Sequence, residues 1–113
     1  MHEMALCAGL LETIEAHCRM EQASRVHAVY LEIGALAAVD TAALRSCFEV
    51  VSHGTVAQGA RVEISTLPGE GWCPQCACTV AITSRLEPCP QCESYPVIVK
   101  QGTQMRLVAL DVT

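Results

Sequence analysis

The stretch "CPQCACTVAITSRLEPCPQC" sets one C-x2-C pair, twelve residues, and a second C-x2-C pair: Cys73, Cys76, Cys89 and Cys92. Two residues between cysteines let both thiolates of a knuckle reach one ion at about 2.3 Å. "CPQC" stands in both halves, so the knuckles are near copies. Four thiolates favour a closed tetrahedral zinc site, which adds folding energy that a weak core lacks. A mononuclear iron suits the same donors. A disulfide pair and a redox C-x-x-C are the competing readings. A paired knuckle has no redox rationale, and a reducing compartment keeps thiols free. Cys78 fits no knuckle spacing and reads as a bystander thiol. The intervening "TVAITSRLE" has room for a short hairpin or strand.

Around this insert the chain carries ordinary periodicities. Cys7, Leu10, Leu11, Ile14 and Cys18 follow the i, i+3, i+4, i+7 pattern, which predicts a helix over 4–21. "RVHAVYLEI" predicts a strand over 25–33, with Val29, Leu31 and Ile33 on one face. Asp40 N-caps a second helix over 41–53, and Gly54 follows as its C′ residue. "ARVEISTL" alternates over 60–67, and "QMRLVALDV" gives a last strand over 104–112. Between them, residues 69–100 hold five cysteines, four prolines and little apolar periodicity. The expected architecture is α+β: two helices packed on a three-stranded sheet, with an inserted four-cysteine zinc-ribbon subdomain. Residues 1–67 and 103–113 form the main domain and 68–102 the ribbon. Strand order and direction are open.

Charge narrows the function. The formal net charge is −5 with no basic run, and the insert sets Arg85 and Lys100 against Glu70, Glu87 and Glu93. Phosphate-backbone binding rests on clustered Lys and Arg, so no nucleic-acid partner is expected. No apolar stretch approaches the roughly 20 residues of a membrane span. The start lacks the basic n-region of a secretory signal, so a cytoplasmic protein is expected. There is no G-x-S-x-G, no phosphate-cradling Gly-rich loop, and a closed zinc offers no open position; no enzyme is expected.

The chain opens "MHE". The Met1 amine and the following amide nitrogens can close chelate rings on one ion, and the His2 imidazole can fill the fourth corner. A tetragonal, nitrogen-rich site suits Ni(II) or Cu(II) rather than zinc. The bulky second residue favours retention of Met1. The amine must lose its proton, and its ordinary pKa is about 7.7–8.0, so nickel binding is expected to be tighter at about pH 8 than at about pH 6. Equal affinity at the two would count against this site. The plainer role of Glu3 is a carboxylate in a first helical turn, where it suits the helix dipole.

"MHEM", the cysteine-bearing helix, "VYLEIGALAAVD", "FEVVSHGTVAQGA", the doubled "CPQC" and the closing "LVALDV" together resemble the HypA/HybF family over nearly the whole chain. Its members are nickel metallochaperones of nickel–iron hydrogenase maturation. The resemblance implies nickel at Met1, His2 and Glu3, and structural zinc at Cys73, Cys76, Cys89 and Cys92. It makes Asp40 a second-tier nickel residue beside its capping role. It implies as partners an accessory GTPase and the hydrogenase large-subunit precursor, with urease served in some organisms. A homodimer is left open. Cys7, Cys18, Cys47 and Cys78 depart from the family pattern. The first three fall on apolar helix faces, where cysteine is usually a small buried hydrophobe. His17, His27 and His53 have no partner at ligand spacing. A zinc-ribbon adaptor for nucleic acid or a polymerase is the alternative.

Overall fold

The computed structural model describes residues 2–113. In chain order its elements are α1 (Glu3–Glu21), β1 (Val26–Gly34), α2 (Thr41–Ser52), β2 (Arg61–Leu67), β3 (Gly69–Cys73), β4 (Cys78–Ile82), β5 (Ile98–Gln101) and β6 (Met105–Val112). Helix α1 turns Cys7, Leu10, Ile14 and Cys18 inward. It stops at Gln22, whose left-handed φ of 56° lets the Ala23 N–H close on the Cys18 carbonyl. Helix α2 starts where Asp40 Oδ1 accepts the Ala43 N–H at 3.1 Å. Asp40→Ala is therefore expected to cost ~1 kcal/mol in a denaturant titration. Leu44 and Phe48 are the buried stripe of α2, and Gly54 follows its end at φ 78°.

β1 is the middle strand of a sheet ordered β2-β1-β6. The Gly34 N–H meets the Gln104 carbonyl, and the Thr113 N–H meets that of Arg25, so β6 runs antiparallel to β1. The Ala35 N–H meets the Leu67 carbonyl, while Arg61 at the other end of β2 reaches Tyr30. β2 is therefore parallel to β1, and α2 supplies the crossover that a parallel pair needs. The sheet is mixed. Its central strand buries Val29, Leu31 and Ile33 as the alternation predicts. It also buries Val26 and Ala28 on the opposite face.

The chain divides into two compact units. One takes in the chain up to Leu31, Val39–Ile64 and Leu107–Thr113; the other takes in Glu32–Ala38 and Ser65–Arg106. The second unit thus extends beyond the insert 68–102. It has its own antiparallel sheet, ordered β4-β3-β5, with Trp72 opposite both Thr79 and Ile98. Its core is Leu36, Val80, Ile82 and Val97 with Cys73 and Cys89. The insert was expected to lack a core of its own, and this small core does draw Leu36 from outside it. β4 is the strand the spacer had room for, whereas β3 and β5 were not foreseen. The buried positions of β3 are Gly69, Gly71 and Cys73, so no apolar alternation marks them. β5 is four residues long.

Candidate metal centres

The sulfurs of Cys73, Cys76, Cys89 and Cys92 all lie within 4.8 Å of one another, a spacing that could hold a metal ion. No other group of three or more His, Cys, Asp or Glu gathers so tightly among the described residues. Across the knuckles, Cys73 Sγ is 3.6 Å from Cys92 Sγ and Cys76 Sγ is 3.9 Å from Cys89 Sγ. A tetrahedron of sulfurs about 2.3 Å from zinc has edges of about 3.8 Å, so the donor set fits that ion. Cys78 stays outside the cluster, its thiol toward Gln91 Oε1.

Local backbone explains the convergence. Each knuckle is a turn that points an amide at its first cysteine: the Cys76 N–H donates to Cys73 Sγ and the Gln91 N–H to Cys89 Sγ, both at 3.4 Å. Each is followed by a left-handed residue, Ala77 at φ 51° and Glu93 at φ 61°. This conformation is uncommon outside glycine and reverses the chain sharply. After the second reversal the Glu93 N–H returns to the Cys89 carbonyl.

Ser94 was not singled out from the sequence. Its hydroxyl is 2.9 Å from Cys92 Sγ and 3.5 Å from Cys73 Sγ. That hydroxyl, then the Cys76 N–H, brings the Cys73 thiol down to about 6. The Ser94 hydroxyl and N–H lower Cys92 as well. Cys76 moves the other way, through its hydrogen bond with Cys92 and burial. The signal available in the sequence was a hydroxyl two residues beyond a knuckle.

The second candidate lies at the start of α1. Met1 falls outside the described residues. His2 is the N-cap residue and makes no side-chain capping bond. Its Nδ1 is 3.9 Å from Glu3 Oε2. Glu3 is only 5 % exposed; Oε2 accepts the Asp40 N–H at 3.3 Å, and the buried Oε1 has no hydrogen-bond partner among the described residues. A buried carboxylate oxygen without a donor is costly, which gives Glu3 more than a dipole role. Asp40 uses its own carboxylate as a cap and meets Glu3 through its backbone. The fold so brings His2, Glu3 and Asp40 together. His27 is bonded instead to Thr113 Oγ1 at 3.0 Å.

The fold and the cysteine site define an α+β protein with a zinc-ribbon subdomain. No helix among the described residues is long and apolar enough to cross a membrane. The sequence profile of HypA, described as a hydrogenase/urease nickel incorporation metallochaperone, matches residues 1–112. The chain belongs to the HypA family. The hydrogenase maturation factors HypA of Rhodopseudomonas palustris strain TIE-1 and of Azotobacter chroococcum are 49% and 47% identical to it over 112 residues, covering 99% of each chain. The solution structure of the Ni metallochaperone HypA from Helicobacter pylori is similar at a TM-score of 0.70 and 29% identity, over 99% of this chain and 97% of that one.

Proposed function

We propose that the protein binds Ni(II) at its N-terminus, through Met1, His2 and Glu3 with Asp40 beside them, and delivers it during maturation of nickel–iron hydrogenase. The observation that carries this reading is the buried Glu3 carboxylate, with one oxygen unpartnered among the described residues, beside a half-exposed His2. In this reading Glu3 and the α2 cap fix the start of α1, and the imidazole is left free to take the cargo. Cys73, Cys76, Cys89 and Cys92 hold a structural zinc. A four-thiolate zinc supplies folding energy and no open position for substrate. The nickel domain is 1–67 with 103–113, and the ribbon is 68–102. The protein acts in the cytoplasm with an accessory GTPase and the hydrogenase large-subunit precursor. The adaptor alternative is not favoured, because the net charge is −5 and the family is one of nickel incorporation.

The test is a Ni(II) titration of untagged, zinc-loaded protein, repeated with His2→Ala and with one residue added ahead of Met1. Each change removes or displaces a ligand, so affinity is expected to fall ~100-fold or more, beyond what loss of an outer-shell partner costs. Unchanged affinity in both would overturn the proposal. Elemental analysis of the purified chain distinguishes zinc from iron.

A further inference from the structure

Two thiols that the metal centres do not use, Cys7 and Cys47, lie on the two packed helices α1 and α2. Cys7 is fully buried on α1, and its Sγ lies 3.3 Å from the Leu44 carbonyl oxygen of α2. A side chain that touches the main chain of the facing helix marks a close approach. Cys47 follows Leu44 by three residues on α2, and positions three apart share a helix face. Both cysteines are free, and Cys47 is partly exposed while Cys7 is not. Burial pushes the Cys7 thiol up to about 11, and the charge of Cys47 is the next cause, ahead of that of Glu3.

We propose that Cys7 and Cys47 form a reversible disulfide that ties α1 to α2, made by exchange with a low-molecular-weight disulfide such as oxidised glutathione. The asymmetry of the pair sets the order of events. Cys47, the accessible thiol, attacks as its thiolate; the oxidant's S–S bond breaks and one glutathione thiolate leaves. Cys7 then loses its proton and attacks the Cys47 sulfur of the mixed disulfide. The second glutathione leaves and takes up that proton. The two protein thiols lose two electrons in all, and the oxidant becomes two thiols. A bridge of this kind needs Cα atoms about 4.4–6.8 Å apart. Among the described residues, Cys18 has no such partner: it lies three turns along α1 from Cys7 and lines a groove with β6.

The experiment incubates the full zinc-loaded chain with oxidised glutathione, blocks the remaining thiols by alkylation, and maps tryptic peptides by fragmentation mass spectrometry. Cleavage after Arg19, Arg45 and Arg61 places Cys7 in 1–19 and Cys47 in 46–61, while the ribbon cysteines fall in other peptides. The expected product is 1–19 joined to 46–61, lighter by two hydrogens, assigned to Cys7 by its fragments. It should disappear with dithiothreitol and be missing from Cys47→Ser. The oxidised chain should also unfold at a higher denaturant midpoint than the reduced one. Arrest at a Cys47–glutathione mixed disulfide with Cys7 fully alkylated would overturn the proposal. So would a bridge that runs to Cys18.

Discussion

Serine in place of Cys89, or removal of the ribbon's ion by a strong chelator, is expected to unfold Ser65–Arg106. Cys89 and Cys73 are both fully buried, so two of the four proposed ligands are also part of the small core. Only Leu36, Val80, Ile82 and Val97 stand beside them as buried apolar side chains. Segments of this size rarely hold a fold by burial alone and usually need a metal or disulfides. Binding of structural zinc by four such ligands contributes an apparent ~10–16 kcal/mol at neutral pH. That exceeds what these few side chains can supply. The measurement is amide hydrogen exchange on β3, β4 and β5, before and after chelation. Full loss of protection is the expected outcome. Protection that survives in the metal-free chain would show that the apolar residues suffice, and that the cysteine tetrad is dispensable for folding.

The second large effect is expected from a single methyl group. A Cβ on Gly34 would lie 2.0 Å from the Gly102 carbonyl oxygen, 2.1 Å from its carbon and 2.7 Å from its Cα. All three are backbone atoms, so no side chain can swing aside. The two segments are drawn together by the Leu36 N–H donating to Gly102 O at 2.7 Å and the Gly34 N–H to Gln104 O at 2.8 Å. Gly102 is itself at φ 99°, where a side chain is strained. Gly34→Ala should therefore cost on the order of 4 kcal/mol, at the exceptional end for a point substitution. Gly9→Ala is the control, since nothing lies within 4 Å of a Cβ there in mid-α1. It should stabilise the chain by roughly 0.5–1 kcal/mol. Denaturant midpoints of the two variants give the comparison. A cost below about 1 kcal/mol for Gly34→Ala would contradict the close approach.

Periodicity located α1, α2 and β2 to within a residue or so because each has a wet and a dry face, and runs of strand-forming residues located β1 and β6 as closely. Asp40 as a cap was legible for the same reason: the residue type states the job. β3 was not, because its inward face is two glycines and a cysteine, which carry no hydropathy contrast. β2 running parallel to β1 was also hidden, since strand direction depends on where α2 delivers the chain. Of the site, the tetrad was visible from spacing alone. Ser94 was not, because a serine beside a knuckle is unremarkable until the left-handed turn at Glu93 points its hydroxyl back at sulfur. For Glu3 the residues gave a first-turn charge and the resemblance a nickel role, and neither reports its burial. Its burial depends on Asp40, thirty-seven residues on, and no local pattern reports that.

The uneven depth of the four sulfurs bears on kinetics. Cys73 and Cys89 are sealed, Cys76 is half-buried and Cys92 is exposed. An incoming chelator or competing thiol meets an ion held there most readily from the Cys92 side. Exchange should then start by displacement of that one thiolate, with a rate proportional to chelator concentration. The two sealed sulfurs let go last, so a partly stripped ion can be recaptured before it escapes.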